Sequence, residues 1–266
     1  TKGQPVKGGV LHYATEKLKS FGYSVSFELY NAANFGAPQK RERFVIIGKL
    51  GDSKVPYLEP THSQYGEFGL PKWVTLGEAI GDIQDKPMTY SQIPKKRLEW
   101  FKKIPEGGNW KSLSEEDQRK AMGKKYFMGG GKTGFYRRLS FSEPSPTLVT
   151  VPTMPATDLV HPTELRPLSV EEYARIQGFP DDWTFCGNTS EKYKQIGNAV
   201  PIKLGEAIGK AILKDIKGIP PMNYPNFKFS RYKYTSDITF PELYEKNLKT
   251  ALSSSLPVIE EFPLPI

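Results

Sequence analysis

The spacing of apolar residues predicts an ordered block near the amino end of the chain. Residues at helical intervals predict a helix with one buried face from Val10 to Phe21, and Gly22 is a natural stop. Alternating apolar residues then predict a strand over 24–30, and a short apolar run predicts a second strand over 44–48. Helix, strand, loop and strand in this order predict the edge of an α/β sheet.

Two more blocks follow later in the chain. Ser169 and Glu172 have the spacing of a capping box, which predicts the start of a short helix that Gly178 ends. Farther on, Asn198 is predicted to cap a helix that has Pro201 in its first turn. The buried face of that helix is predicted from apolar residues spaced four apart: Val200, Leu204, Ile208 and Ile212.

The chain between these blocks is irregular, with scattered prolines, glycines and aromatic residues, which predicts a loop-rich domain. Its Gly131-Lys132-Thr133 resembles a phosphate-binding loop, but Tyr126 stands where that motif requires another glycine, so a nucleotide triphosphatase is not favoured. After Lys217 the tail is rich in proline and aromatic residues. Within it, 227–234 alternates like a basic strand, and the last dozen residues are expected to be poorly ordered.

Composition narrows the partner and the compartment. Across 266 residues, 37 Lys and Arg oppose 29 Asp and Glu, and the net charge of +8 is compatible with a polyanionic partner. No apolar run approaches the roughly 20 residues that a membrane helix needs. A single cysteine, Cys186, cannot form an internal disulfide, and no Cys/His spacing predicts a metal site, so a reducing cytoplasm is expected. Because the chain starts at Thr1 and not at a methionine, its amino terminus is interpreted as the cut end of a longer protein.

Three separated segments carry a family resemblance. The segments "NAANFGAPQKRERFVIIG", "RPLSVEEYARIQGFPDDW" and "YKQIGNAVP" resemble, in order and spacing, the last three conserved motifs of the DNA (cytosine-5)-methyltransferases. The resemblance implies an α/β fold: the C-terminal part of a Rossmann-like, S-adenosylmethionine-dependent methyltransferase domain with a smaller, loop-rich target-recognition domain. The expected divisions are 1–50 and 190–217 for the catalytic part, 51–189 for the recognition domain and 218–266 for a C-terminal extension.

The family's chemistry implies roles for the first motif. Its members flip a cytosine out of the duplex, attack carbon 6 with a cysteine thiolate, and transfer a methyl group from S-adenosylmethionine to carbon 5. Gln39, Arg41 and Arg43 match the Gln-x-Arg-x-Arg pattern, in which Arg43 would lie by the cytosine and Arg41 would support the pocket and the phosphates. At a strand end, the spacing predicts both arginines on one face and Glu42 on the other. From spacing alone, ordinary surface ion pairs are the favoured interpretation; the resemblance reverses that preference.

The other two motifs imply a cofactor wall and a scaffold. Asn198 and Ala199 match residues that line the S-adenosylmethionine site, although a capping Asn without a ligand is the commoner case. The second motif is expected to organise the recognition domain through Arg166, Ser169, Glu172, Arg175 and Gln177.

The recognition domain implies contacts with double-stranded DNA. Thr147 and Leu148 resemble the family's Thr-Leu pair, so a base or backbone contact is expected there, and a simple turn is the alternative. The remaining predicted DNA contacts, for which a solvated basic face is the alternative, are Lys124, Lys125, Lys132, Arg137 and Arg138.

The family's Phe-x-Gly-x-Gly loop, Pro-Cys nucleophile and Glu-Asn-Val motif are absent from this sequence. Cys186 has neither a preceding proline nor the right place in the motif order, so a partly buried bystander is expected. Half a sheet would leave an unpaired edge. An N-terminal methyltransferase half or subunit is therefore the expected partner, in bacterial or phage-infected cytoplasm. A non-catalytic DNA-binding module and a tRNA cytosine-5 methyltransferase are the alternatives.

Overall fold

The computed structural model describes residues 6–253 and shows a mixed α/β arrangement. The strands are β1 (Tyr23–Asn31), β2 (Gln39–Lys40), β3 (Glu42–Leu50) and β4 (Ser145–Pro146). The helices are α1 (Gly9–Ser20), α2 (Leu76–Ile80), α3 (Lys95–Phe101), α4 (Glu115–Met122), α5 (Val170–Gln177), α6 (Thr189–Asn198), α7 (Ile202–Ile216) and α8 (Phe240–Ser253). None of the helices in residues 6–253 is long and apolar enough to cross a membrane. The last dozen residues, which are expected to be poorly ordered, lie outside the described residues.

The predicted amino-terminal helix and both predicted strands are confirmed. Helix α1 ends before Gly22, whose φ of 83° is in the left-handed region that favours glycine. Strands β1 and β3 run antiparallel over nine residues each, with Phe27 opposite Ile46. Val45 and Ile47 pack on one face of β3 in a core that includes Leu204 of α7. Among the described residues, β3 pairs with β1 alone, which leaves its other edge without a strand.

The chain after α7 covers the outer edge of β1. The amide N–H of Asn31 donates to the carbonyl of Phe229 at 2.8 Å, and that of Asp237 donates to the carbonyl of Phe27 at 3.0 Å. The side chain of Phe240, at the start of α8, then packs on Val25 and Phe27. The tail therefore protects a strand edge that would otherwise expose unpaired backbone groups.

The strand predicted over 227–234 is wrong. This stretch is a series of bends that touches β1 at single points. Asn226 and Tyr234, just before it and at its end, have positive φ angles of 62° and 59°, which interrupt an extended ladder. The alternation of aromatic and basic residues instead places Phe229 against Tyr30, with ring centroids 5.1 Å apart.

A second core, separate from the one that contains Leu204, unites α2, α5 and α6. Its buried residues include Leu76, Ile80, Tyr173, Tyr193 and Ile196. A third core joins α3, α4 and the chain after them through Phe101, Ile104, Trp110, Met122 and Tyr136. Tyr193 packs in the second core, whereas Val55 and Leu58 pack with the sheet in the core that includes Leu204. The domain divisions stay a prediction.

The capping box at Ser169 is confirmed, but the predicted cap at Asn198 is wrong. Asn198 is the last residue of α6, a helix that Asn188 caps in a box with Glu191. Helix α7 begins at Ile202, because Pro201 disfavours helical geometry at the residue before it. Two helices, α6 of 10 residues and α7 of 15 residues, therefore replace the single predicted helix.

One side of α7 has no packing partner among the described residues. Gly205, Gly209, Ile212 and Ile216 follow one another at helical spacing and form what is called here the open face of α7. A side chain added at Gly205 or Gly209 would meet no atom within 4 Å. Ile216 is 73% exposed. Of the predicted apolar stripe, Leu204 is fully buried, while Val200 and Ile212 are exposed.

The tail should contribute measurably to stability. Replacing Phe240, which is 8% exposed, with alanine removes its contacts with Val25 and Phe27. We expect Phe240→Ala to lower the free energy of unfolding by about 3 kcal/mol. Tyr13→Ala, at an exposed position on α1, is the control and should change it by less than about 0.5 kcal/mol. Urea unfolding followed by circular dichroism measures both, and equal midpoints would show that the tail does not stabilise the sheet.

Candidate functional site

The segment 36–43 connects β1 to β3 and contains the Gln-x-Arg-x-Arg residues. It leaves a 3-10 turn through Gly36, whose φ of 88° requires left-handed geometry. It then pairs as β2 with β4 in parallel, with Gln39 opposite Ser145. The hydroxyl of Thr147 donates to the carbonyl of Lys40 at 2.9 Å. The first motif is thus held against the segment that carries the Thr-Leu pair.

The guanidinium of Arg41 is built into the protein. Its side chain is buried, and its two Nη atoms donate to the carbonyls of Leu148 and Gly197, each at 2.8 Å. Burial, and secondarily the nearby charge of Arg43, lower the pKa of Arg41 to about 10. The group therefore stays charged at neutral pH. One cation joins the first motif to both the recognition segment and the end of α6.

Gln39 and Gln177 form a second link between the motifs. Gln39 is fully buried, and its Nε2 donates to the side-chain oxygen of Gln177 at 2.6 Å and to the carbonyl of Ile176 at 3.2 Å. Nε2 of Gln177 in turn donates to the carbonyl of Ala199. Three segments that are far apart in the sequence therefore share one buried hydrogen-bonded junction.

Arg43 is the arginine that remains available. It is partly exposed, and the one hydrogen bond recorded for its side chain in the described residues goes to the carbonyl of Glu42 at 2.8 Å. Partial burial lowers its pKa. The carboxylate of Glu42 points to the tail, where it accepts from Ser230 at 2.9 Å. Because Arg41 already binds two carbonyls, Arg43 is the arginine of this motif whose guanidinium keeps N–H groups available for a ligand.

Gly197 allows α6 to approach the recognition segment closely. A Cβ at this position would lie 2.8 Å from the carbonyl oxygen of Val149 and 3.0 Å from the amide nitrogen of Thr150. Such distances are shorter than carbon atoms tolerate, and both neighbours are backbone atoms that cannot rotate away. The carbonyl that Arg41 binds is thus available only because residue 197 has no side chain.

Asn198 lies at the edge of an open cavity of about 480 Å³. Its side chain is exposed, in contrast to that of Gln177 behind it. Cys186 lines the same cavity and is exposed, so the expectation that it is buried is wrong. The turn at Gly187, with φ of 87°, presents it to solvent.

Most of the predicted DNA contacts bind other parts of the protein. Nζ of Lys132 donates to three backbone carbonyls. Nε of Arg137 donates to the carbonyl of Asp158 at 2.9 Å. Arg138 binds several carbonyls, including that of Ile104 at 3.1 Å. These internal contacts give the three side chains a structural role, and their contact with DNA stays a prediction.

The remaining predicted contacts divide by exposure. The side chain of Leu148 is 1% exposed and belongs to the second core, so its side chain is not at the surface, and the predicted contact at the Thr-Leu pair stays a prediction. Thr147 uses its hydroxyl on Lys40, as described above. Lys124 and Lys125 are exposed and form no ion pair among the described residues. Nζ of Lys125 lies over the ring of Phe135, 5.0 Å from its centroid. For both lysines the contact with DNA stays a prediction.

Residues of the second motif belong to a buried polar network. Arg166 binds the carboxylate of Glu172 at 2.8 Å. The imidazole of His161 lies beside it: Nδ1 accepts from the amide of Glu164 at 3.1 Å, and Nε2 is 2.8 Å from the side-chain oxygen of Gln84. Burial lowers the pKa of His161. The ring is therefore neutral, with its proton on Nε2.

Two functional residues were not predicted for the roles they have. Gln177 is expected only as scaffold, whereas it connects Gln39 to Ala199. Gly197 has no predicted role at all. The available signal was a glycine inside a helical pattern, which weakens a helix by about 1 kcal/mol and therefore indicates close packing. Within residues 6–253, no group of three His, Cys, Asp or Glu side chains could hold a metal ion.

Comparison with known proteins assigns the family. The model of the C-5 cytosine-specific DNA methylases matches residues 4–214. The chain belongs to this family. Among curated relatives, the type II methyltransferase M.PspPI of Psychrobacter is 42% identical over 216 residues, which cover 80% of this chain and 51% of that protein. M.Eco47II of Escherichia coli is 41% identical, with 77% and 50% covered.

The chain therefore spans about half the length of these methylases. M.Sau96I of Staphylococcus aureus is 41% identical, and the match covers 72% of this chain and 44% of that protein. A solved structure described as a DNA modification methyltransferase encoded within an E. coli prophage covers 79% of this chain and 66% of its own. Its identity is 22% and its TM-score is 0.47. At that level the superposition adds nothing to the family assignment.

The close approach at Gly197 gives a stability prediction with an internal control. Gly197→Ala should destabilise the protein by about 2 kcal/mol, because the backbone clash exceeds the gain in helix propensity. Gly209→Ala, on the open face of α7, should stabilise it by about 0.8 kcal/mol. Thermal unfolding of the two variants should therefore shift in opposite directions. A shift in the same direction would mean that the end of α6 tolerates a side chain.

The buried histidine predicts a pH dependence. Because the folded protein lowers the pKa of His161, its contribution to stability is present above about pH 6.5 and is lost as the pH falls below that value. Protonation of Nδ1 would also remove an acceptor for two backbone amides. Between pH 7.5 and pH 5.5, wild type should lose more unfolding free energy than His161→Gln. Parallel pH profiles would contradict the assignment.

Proposed function

We propose that this chain is the part of a DNA (cytosine-5)-methyltransferase that binds the target duplex, holds the flipped cytosine and forms one wall of the S-adenosylmethionine site. The observation that carries the proposal is the junction of the three motifs. Arg41, Gln39 and Gln177 form hydrogen bonds inside it, whereas Arg43 is partly exposed and Asn198 is exposed.

Arg43 is the proposed contact for the target cytosine. A guanidinium presents several N–H donors in a fixed plane, which suits the carbonyl oxygen of a base and the oxygens of its phosphate. Extruding a base costs a few kcal/mol, so the contacts that receive it must be in place beforehand. Arg41 contributes indirectly, because its two carbonyl bonds fix the strand start from which Arg43 projects.

Asn198 and Ala199 are the proposed residues for S-adenosylmethionine. The fit rests on the exposed amide of Asn198 at an open cavity of about 480 Å³, a size within the range of ordinary ligand sites. The carbonyl of Ala199 is held by Gln177, which fixes the backbone at this wall. When bound, S-adenosylmethionine supplies the methyl group.

The nucleophile and the rest of the cofactor site are proposed to come from an N-terminal half, in the same polypeptide or as a separate subunit. The chain matches about half of its relatives, and the open face of α7 and the free edge of β3 are surfaces that a partner could cover. Two glycines on α7 permit close helix packing. On this proposal, the sheet is the far edge of a Rossmann-like domain, 51–189 is the recognition domain and double-stranded DNA is the substrate.

A complementation assay tests this function. The chain alone should transfer no tritiated methyl group to duplex DNA. Transfer should appear on co-expression with the N-terminal half encoded upstream or, failing that, with that of M.PspPI. Arg43→Met should reduce the restored rate at least tenfold without changing thermal stability, because Arg43 has no internal partner beyond one carbonyl. Activity of the chain alone would refute the proposal, and DNA binding without rescue would favour a non-catalytic module.

Variants on α7 separate docking from folding. Gly209→Leu adds a side chain where nothing lies within 4 Å, so the isolated chain should fold normally. It should nevertheless reduce complementation at least tenfold, since it would hold the N-terminal half away. Lys210→Leu is the matched control and should complement fully, because Lys210 is exposed on another side of α7. Equal activity of both variants would place the partner elsewhere. Methylation of tRNA in place of duplex DNA would identify the related RNA enzyme.

A further inference from the structure

An exposed apolar tip projects from the recognition segment. Phe127 and Met128 are 77% and 62% exposed. Phe127 ends the 3-10 turn Gly123–Phe127 that follows α4, and Met128 is the next residue. Two adjacent large apolar side chains in water are costly unless a partner covers them. They belong to none of the residues assigned above to the cytosine or cofactor sites.

The tip is held in a fixed shape by a lysine. Nζ of Lys132 donates to the carbonyls of Lys125 at 3.2 Å, Tyr126 at 2.8 Å and Met128 at 2.6 Å. An ammonium group has three N–H donors, so all of them are used. Lys132 itself has a φ of 53°, a geometry that non-glycine residues adopt at a cost. The side chain that satisfies three carbonyls offsets that cost.

Edge-to-face aromatic contacts join the tip to the third core. The ring centroid of Tyr126 is 5.2 Å from that of Phe127 and 5.9 Å from that of Trp110, a buried member of that core. The guanidinium of Arg119 lies 5.1 Å from the ring of Tyr126 on another side. These contacts connect the ring of Phe127, through Tyr126, to the third core.

The surroundings of the tip favour a nucleic acid over a protein. Lys124 and Lys125 are exposed, and neither forms an ion pair among residues 6–253. On the other side of the tip, Gly129, Gly130 and Gly131 have no atom within 4 Å of an added Cβ, so the chain lies open to close approach of a ligand. A rigid apolar wedge flanked by cations is the arrangement with which proteins unstack and kink duplex DNA.

We propose that Phe127 and Met128 insert between base pairs of the bound duplex, with Lys124 and Lys125 on the adjacent phosphates. Lys132 is a positioning residue that keeps the wedge rigid. The inference rests on the proposed function and adds the residues that distort the duplex. Inserting the wedge would open the stack and so lower the cost of extruding the target base.

Binding of the full chain to duplex oligonucleotides tests the wedge. The duplex is one selected by the wild-type chain from a randomised pool, and a matched set carries one abasic site at each position in turn. We expect Phe127→Ala/Met128→Ala to bind the intact duplex roughly tenfold more weakly. It should also lose the preference that wild type shows for an abasic site at one position. Tyr65→Ala, another exposed aromatic, is the control and should behave as wild type.

The salt dependence separates the wedge from the lysines. The alanine variant should keep the wild-type slope of log K against log salt, since no phosphate contact is removed. Lys124→Met/Lys125→Met should lower that slope by roughly 0.9 for each lysine. Lys132→Met should lose the abasic preference with little change in slope, which distinguishes positioning from a phosphate contact.

The failures are distinguishable. If wild type shows no salt-dependent binding to duplex DNA, the proposed function itself fails. If wild type binds but the alanine variant has equal affinity and the same abasic preference, the wedge alone is overturned. If sedimentation shows a wild-type dimer that the alanine variant abolishes, the tip is a contact between copies of this chain and the wedge is likewise refuted.

Discussion

The structure depends on one buried cation, the guanidinium of Arg41. An unpaired charge in a protein interior is costly, and a single carbonyl would not compensate for it. Here two carbonyls do so, from Leu148 and Gly197, and they lie in segments that approach each other only because Gly197 lacks a side chain. Arg41 binds the two carbonyls with separate nitrogens of one rigid, planar group, which a lysine does not have. Removing the cation would leave both carbonyls buried without a donor.

This constraint explains how exposed functional groups are positioned on a chain with an open sheet. Arg43 projects from the first residues of β3, directly after the fixed guanidinium, and Asn198 follows Gly197 at the end of α6. Both free side chains are thus one or two residues from a fixed backbone point. The recognition segment is held at Leu148 by the same cation, so the proposed cytosine, cofactor and DNA contacts have one common reference in the molecule.

Patterns within a few neighbouring residues were enough to predict β1 and α5. The period of Val25, Phe27 and Leu29 gave β1, and the capping box at Ser169 gave α5. Asn198 was misassigned because the chain contains two asparagines that could cap a helix here. Asn188, with Glu191 three residues later, caps α6, and Asn198 is the last residue of that helix. Burial was not visible either: Arg138 and Lys132 look like surface cations in sequence, yet both saturate backbone carbonyls that only the folded chain brings together. The family motifs located the junction, but the hydrogen bonds of Gln177 that connect it form only in the folded chain.

Native-state hydrogen exchange of Arg41→Met against wild type tests the central claim most directly. If the guanidinium holds the three motifs together, amides at the end of α6 and in 145–150 should lose protection by a similar factor. Amides paired between β1 and β3 should keep theirs, because that ladder does not involve Arg41. Loss of protection in only one of the two segments, or uniform loss throughout the protein, would contradict the account.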